Sequence, residues 1–253
     1  MTTLIPELEA DIYYLPAEEG GRKHGAFSGY RGQFYYYGRD WDAMQLLIDK
    51  ETCPPGETVR VYLQMLSPEC HVGMFHVGQE FEIREGARIV GKGVIRAIFR
   101  PDFECKVDWS KLKEEIYFED GSLRDIYALN TTADDWKKWI EWVVRSGYRV
   151  EYRVGGMNQP ARNIDFSAIS NYWENRANQP IPTIRVFVDH IQINAHFFCE
   201  EEIENDITPT NFQCWGDHVR LMNYMDIMSY VLKKEVVLTA ENVRDHVLLR
   251  VTG

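Results

Sequence analysis

The five cysteines of this 253-residue chain form no recognisable pattern. They are odd in number and far apart, and no two are separated by only two residues, so the sequence predicts neither a disulfide framework nor a four-cysteine zinc site. Positive charge is also scarce, because 28 Lys and Arg residues stand against 39 Asp and Glu residues and give a formal net charge of −11. Such a charge repels phosphate backbones and anionic headgroups unless a local basic patch overrides it, which disfavours non-specific nucleic-acid binding.

Long apolar runs are missing as well. No stretch approaches the roughly 20 apolar residues that a membrane-spanning helix needs. Residues 1–9 carry acidic side chains where a signal peptide has a basic start and an apolar core. We therefore expect a cytoplasmic protein with reduced thiols and no membrane partner.

Two different sequence patterns divide the chain into predicted domains at 1–100 and 101–253. In residues 11–99, short segments rich in Tyr, Phe, Val and Ile are separated by Gly or Pro, which is typical of an all-β barrel. Strands are predicted at Val59–Leu66, Glu80–Arg84 and Gly91–Phe99, and a helical turn or two at Trp41–Lys50. The first domain carries 11 basic and 14 acidic residues, and the second carries 17 and 25.

After Pro101 the pattern alternates between strands and amphipathic helices. Asp120-Gly121 predicts a hairpin that joins strands at 115–119 and 123–129, and Thr132 with Asp135 predicts the start of a helix. Further helices are predicted at 165–175 and 217–233, and further strands at 148–154, 183–189, 190–198, 235–238 and 245–251. The predicted fold class is thus an all-β barrel followed by an α+β domain.

Three motifs of the first domain resemble a known family. EEGGR at 18–22, GYRGQFY at 29–35, and IREG at 83–86 followed by VGKGV at 90–94 occur in this order. They are similar to segments of the C-terminal β-barrel, the third domain, of elongation factor Tu, at similar spacing. The resemblance covers about a third of the chain and implies the same barrel fold.

The resemblance also implies a contact with RNA. In the family this barrel touches the T-stem backbone of tRNA, and the matching positions here are Arg22, Gln33, Glu85 and Gly86. The alternative is that these residues only maintain barrel turns. Because the sequence contains no GxxxxGK[ST] motif, we expect no nucleotide hydrolysis and no cofactor.

A polar strand face and an acidic segment stand out in the second domain. The predicted strand at 190–198 alternates, so one face carries His190, Gln192, Asn194 and His196. Six residues of extended chain separate the two histidines, too far for one metal ion to bridge. The segment Cys199–Asp206 is predicted to be an acidic loop that follows the strand. Its acidic residues are Glu200, Glu201, Glu202, Glu204 and Asp206.

Two cysteines lie near histidines, but neither pair has the surround of a nucleophile. Cys199 follows His196 by three residues, and Cys214 precedes His218 by four. Isolated Cys and His residues arise often by chance, so we predict no catalytic residue and no enzyme, although a site that forms only in three dimensions stays an alternative.

The sequence therefore favours a non-catalytic protein that binds a macromolecule. The leading hypothesis is a bacterial immunity-type protein that neutralises a cognate toxin, with the acidic segment and the polar strand face as contacts for a basic partner. The alternative is a translation-associated factor whose barrel contacts tRNA or a translation-factor partner.

Overall fold

A computed structural model describes residues 5–154, 164–175 and 180–253, together with the backbone of 157–160. The chain divides into two compact units, Met1–Val107 and Asp108–Gly253. Residues 101–107 thus stay with the first unit rather than opening the second. Phe103 explains this placement, because its fully buried ring packs 5.5 Å from that of Phe75.

Six strands of the first unit close into a barrel. Alternate residues of the strands point inwards, and Leu8, Ala10 and Ile12 of the first strand are fully buried. Gly93 is required by this packing, since a Cβ there would overlap the ring of Phe81. The strands of the unit are β1 Leu8–Tyr14, β2 Ala26–Phe27, β3 Gln33–Tyr36, β4 Arg39–Leu47, β5 Thr52–Cys53, β6 Thr58–Met65, β7 Glu80–Glu85 and β8 Arg88–Ile98. The order around the barrel is β1-β6-β4-β3-β7-β8.

The helical turn predicted at Trp41–Lys50 is wrong, because these residues belong mostly to β4. That strand pairs with β3 and β6, and Ala43, Gln45 and Leu47 are buried along it. Its apolar residues fit either a helical or an extended spacing over such a short segment. Pairing with two neighbouring strands selects the extended form.

The second unit is an eight-stranded antiparallel sheet with four helices on one face. Its elements are α1 Trp109–Ile116, β9 Arg124–Leu129, α2 Ala133–Arg145, β10 Arg149–Val154, β11 Met157–Pro160, α3 Phe166–Glu174, β12 Thr183–Val188, β13 Ile191–His196, β14 Glu202–Ile207, α4 Trp215–Leu232, β15 Val236–Ala240 and β16 Val243–Val251. The strand order is β11-β10-β12-β13-β14-β9-β15-β16.

One core joins the helices to the sheet. Trp136 and Trp139 of α2 and Met225 and Met228 of α4 are fully buried in it, against inward-facing residues such as Ile193. The opposite sides of the same strands carry polar residues. Helices of the described residues therefore cover one face of the sheet and leave the polar face open.

The helix α2 begins where the sequence predicts it. The side chain of Thr132 accepts a hydrogen bond from the backbone N–H of Asp135, and the carboxylate of Asp135 accepts one from the N–H of Thr132. This reciprocal capping box satisfies two donors that the first turn of a helix leaves without partners. None of the helices in the described ranges is both long and apolar enough to cross a membrane.

Two predictions in the second unit are wrong. The expected hairpin is absent, because 115–116 end helix α1 and only 124–129 form a strand. Asp108 caps that helix by accepting from the N–H of Lys111, and Asp120 bonds Ser122 in a local turn instead of joining two strands. Burial of Ile116 and Tyr117 in the core fixes the helical end.

The acidic loop expected over Cys199–Asp206 is also wrong, because 202–207 form β14 in the interior of the sheet. The strand pairs with β13 on one side and with β9 on the other. Ile203, Asn205 and Ile207 face the core and are fully buried, so alternation within the acidic run determines the strand.

Candidate functional site

The open face of the sheet brings together side chains from four neighbouring strands. In one transverse row of paired residues, Thr183, His196, Glu204 and Tyr127 follow one another from β12 to β9. In the next row the order is Arg185, Asn194, Asp206 and Asp125. Directly paired residues of antiparallel strands point to the same face, so the two rows form one polar surface.

Asp206 is the centre of a hydrogen-bonded chain on this face. Its Oδ1 accepts from the amide of Asn194 at 2.6 Å, and its Oδ2 lies 2.7 Å from Nε2 of His196. The Asn194 Oδ1 accepts in turn from the amide of Gln192 at 2.7 Å. We call these four residues the polar row. Each fixes the orientation of its neighbour, so the face is preorganised rather than loosely arranged.

Three more carboxylates lie beside the polar row, on β14 and β9. Burial, with the nearby charges of Asp125 and Glu202, raises the pKa of Glu204 to about 7. The pKa of Asp125 is also raised, again mainly by burial and in part by the charge of Asp206, although hydrogen bonds from Asn242 and Tyr127 oppose the shift. We call Asp125, Glu202 and Glu204 the carboxylate cluster.

Arg244 partly balances this negative charge. Arg244 lies 2.6 Å from a carboxylate oxygen of Glu202, and its guanidinium lies over the ring of Tyr127 at 5.1 Å. No comparable ion pair is recorded for Glu204 among the residues that the structure describes. The same holds for Asp125, so Glu202 is the member of this set that is paired with a cation in the described part of the chain.

The structure gathers only part of the predicted partner surface. Gln192, Asn194, His196, Glu202, Glu204 and Asp206 lie on the open face, as the pairing above shows. His190 does not, because it follows the left-handed turn at Asp189 and its Nε2 lies 3.2 Å from a carboxylate oxygen of Asp217 at the start of α4.

Two of the predicted glutamates lie before β14 rather than in it. The Oε1 of Glu200 accepts from the backbone N–H of Ala133 at 3.0 Å and so caps α2. Glu201 is exposed, and its carbonyl accepts from the N–H of Thr131. Of the segment Cys199–Asp206, only the alternate residues from 202 onwards reach the open face.

Sequence reasoning missed the arginines of this face and one acid. Arg153 of β10 and Arg185 of β12 lie at one side of the polar row, and Asp125 of β9 lies at the other. The alternation of Arg185 with buried Ile184 and Val186 was a usable signal for its orientation. Which strands become neighbours, however, is set by long-range pairing, and local spacing does not reveal it.

A cavity of about 380 Å³ opens on the basic side of this face. Its polar wall is formed by the polar row together with Arg153, Thr183 and Arg185, and its apolar rim by Leu123, Pro180 and Ile181. Among the described residues, no group of three or more His, Cys, Asp or Glu side chains has the geometry to hold a metal ion.

The two Cys and His pairs considered above show no activated thiol. Burial is the largest cause that raises the pKa of Cys199 and that of Cys214 above the usual thiol value. The His218 ring bonds the hydroxyl of Tyr117 at 2.9 Å, and burial lowers the pKa of His218 to about 4. A raised thiol pKa disfavours the thiolate, which is the nucleophilic form.

In the first unit, the four residues singled out by the family resemblance come together at one end of the barrel. Arg22 lies 3.1 Å from a carboxylate oxygen of Glu85, and the side chain of Gln33 accepts from the N–H of Gly86 at 2.6 Å. Tyr30 joins them, since its hydroxyl donates to Glu85 and Arg22 lies over its ring at 4.1 Å. We call Arg22, Gln33, Glu85 and Gly86 the barrel cluster.

Comparison with known families agrees with this geometry. Residues 2–99 match the family model described as the elongation factor Tu C-terminal domain. The resemblance drawn from the three motifs is thereby confirmed for this segment, and the closed six-stranded barrel fits it. The match ends before the eight-stranded sheet begins.

Proposed function

We propose that this protein is a non-catalytic macromolecule-binding protein whose second unit holds a basic protein partner on the open face of the sheet. The observation that carries the proposal is the position of the carboxylate cluster and Asp206. These residues lie side by side on β9 and β14, on the face that no described helix covers. These strands belong to a unit, Asp108–Gly253, with 16 basic and 23 acidic residues, so its long-range field attracts a basic protein.

The distribution of charge on the face supports a defined orientation of that partner. Carboxylates occupy β9 and β14, whereas β10 and β12 carry three arginines, Arg149, Arg153 and Arg185, and one carboxylate, Glu151. A partner with complementary charges can dock in one register only, because the reversed orientation places like charges together. In its sharpest form, the partner is a toxin whose basic cleft receives the carboxylates, and the protein acts as an immunity protein.

The test compares two double charge reversals. One variant carries Glu201→Lys with Glu204→Lys, next to or on the open face, and the control carries Glu114→Lys with Glu141→Lys, two exposed residues of helices α1 and α2. Partners are isolated from native cells on the wild-type protein, and the affinity of each purified partner is then measured for all three proteins at several salt concentrations.

We expect the first variant to bind about tenfold more weakly or worse, while the control keeps its affinity, and we expect the wild-type complex to weaken with salt. Neutralisation is tested by expressing the partner with and without this protein and measuring growth. A complex that is insensitive both to salt and to the first variant contradicts the proposal.

A second candidate function is favoured by the barrel cluster. The match of residues 2–99 and the convergence of Arg22, Gln33, Glu85 and Gly86 support a barrel that contacts the backbone of tRNA. Arg22 is already paired with Glu85, so binding RNA has to exchange this ion pair for a phosphate contact.

Filter binding with tRNA tests this candidate. Arg22→Gln should weaken binding and reduce its salt dependence by about one phosphate contact, whereas Arg60→Gln, elsewhere on the barrel and paired with Asp11 at 3.1 Å, should not. Absence of salt-sensitive binding by the wild-type protein removes the candidate.

A further inference from the structure

The described residues that line the cavity on the open face carry more positive than negative charge. Arg153 and Arg185 both line it, from the neighbouring strands β10 and β12. Of the carboxylates in the described part of the chain, only Asp206 lines it. Two guanidinium groups thus share a small space with one carboxylate.

The carboxylates near these arginines are already occupied. Glu151 pairs in register with Arg185, but its oxygens lie 2.7 Å from Arg149 and 3.8 Å from Arg153. Asp206 accepts from Asn194 and bonds His196. No ion pair or hydrogen bond is recorded for the Arg185 side chain within the described ranges.

Arg153 adds a second open donor. Its Nε is buried and has no hydrogen-bond partner in the described part of the chain, although its guanidinium approaches Glu151. A buried donor without a partner is unfavourable, so a ligand that supplies an acceptor gains free energy on binding.

The remaining walls suit a small molecule. A volume of about 380 Å³ lies in the range of small-ligand sites, and the rim formed by Leu123, Pro180 and Ile181 offers apolar contact beside the charged wall. The hydroxyl of Thr183 makes only long contacts, 3.4 Å to His196 and 3.5 Å to the carbonyl of Ile181, so it can turn to donate to a ligand.

We propose that this cavity binds a small molecule through an oxyanion group, either a phosphate or a carboxylate, held by Arg153 and Arg185. A guanidinium presents several N–H donors in a fork that matches both anions. His196 supports the site indirectly, because its bond to Asp206 keeps that carboxylate turned towards β13. This site needs no protein partner and so stands apart from the function proposed above.

The experiment is calorimetric titration of the full chain with inorganic phosphate and, separately, with citrate, at constant chloride concentration. We expect saturable binding of at least one probe, and about tenfold weaker binding by each of Arg185→Gln and Arg153→Gln. Binding of phosphate alone identifies the group as phosphate, and binding of citrate alone identifies it as carboxylate.

The matched control is Arg250→Gln on β16, where the arginine is exposed and lies 2.6 Å from Glu235. It removes the same charge from the same unit and should leave the affinity for the probe unchanged. The proposal is overturned if neither probe binds at millimolar concentration, or if Arg185→Gln and Arg153→Gln, folded by circular dichroism, bind as tightly as the wild type.

Discussion

His196 and Asp206 face each other from neighbouring strands, with Nε2 of the imidazole 2.7 Å from Oδ2 of the carboxylate. Asn194 bonds the other oxygen of Asp206 at 2.6 Å. Asp206 is only 8% exposed, so these bonds replace most of the water that would otherwise solvate its charge. The pair links β13 to β14 through side chains as well as through the backbone.

Asp206→Asn should destabilise the second unit by about 1–3 kcal/mol. The amide cannot accept hydrogen bonds at both of its terminal atoms, so either Asn194 or His196 loses its acceptor. Urea unfolding followed by tryptophan fluorescence measures this, because six of the seven tryptophans lie in the second unit. Asp245→Asn, at an exposed position of β16, is the control, and equal stability of the two variants would contradict the prediction.

Glu204 should make the second unit less stable as the pH rises from 4.5 to about 7. Its pKa is raised from 4.5 to about 7, so over this range the folded state keeps a proton that the unfolded state has already lost. Above this range, folding has to bury an ionised carboxylate beside Asp125 and Glu202.

Glu204→Gln stays uncharged, so its free energy of unfolding should fall less over this pH range than that of the wild type. Urea unfolding at several pH values measures the difference. The control is Glu141→Gln on the exposed side of α2. Parallel pH profiles for the wild type and Glu204→Gln would show that the carboxyl titrates normally.

His71 should make the barrel unstable in acid. Burial lowers the pKa of this histidine from 6.5 to about 4, and its Nδ1 lies 2.6 Å from the hydroxyl of Tyr36. Between these pH values the unfolded chain binds a proton that the folded barrel excludes, so stability is lost as the pH falls from 6.5 towards 4.

The double variant His71→Phe with Tyr36→Phe removes the titrating ring together with its hydroxyl partner, and should flatten this acid dependence. The NMR signal of the Trp41 indole, whose ring lies 4.8 Å from that of His71, reports on the barrel. The control is His24→Phe at an exposed position. A double variant with unchanged acid lability would assign the effect to other groups.

Thr132→Ala should cost about 1 kcal/mol, because it removes the side-chain acceptor for the N–H of Asp135. The loss should appear as a lower urea midpoint with an unchanged slope. Thr252→Ala, at an exposed position, should have no measurable effect. If both variants unfold at the wild-type midpoint, the capping box contributes nothing to stability.

The correctly predicted features of this chain are those that residues close together in the sequence determine. The capping box at Thr132 and Asp135 was readable from two residue types at a fixed spacing. The barrel was readable because three motifs kept their order and spacing. The strand β13 was readable from its strict alternation, and so was the common face of Gln192, Asn194 and His196.

The errors all concern segments whose state depends on distant residues. Charge dominates the segment 200–206, yet Ile203, Asn205 and the following Ile207 alternate with its acidic residues and place the strand between β13 and β9. The proximity of Arg153 and Arg185 could not be predicted from local spacing for the same reason, because it arises from the pairing of β10 with β12.

The strand β9 has neighbours that are synthesised long after it. It pairs with β14 on one side and with β15 on the other, and its Asp125 bonds a backbone N–H that lies 117 residues further along the chain. During translation, the backbone N–H and C=O groups on both edges of β9 stay unpaired until these partners are made, and an unpaired strand is prone to aggregate. The barrel strands end at Ile98 and can pair while β14 and β15 are still to be made, so newly made chains need protection chiefly over their second half.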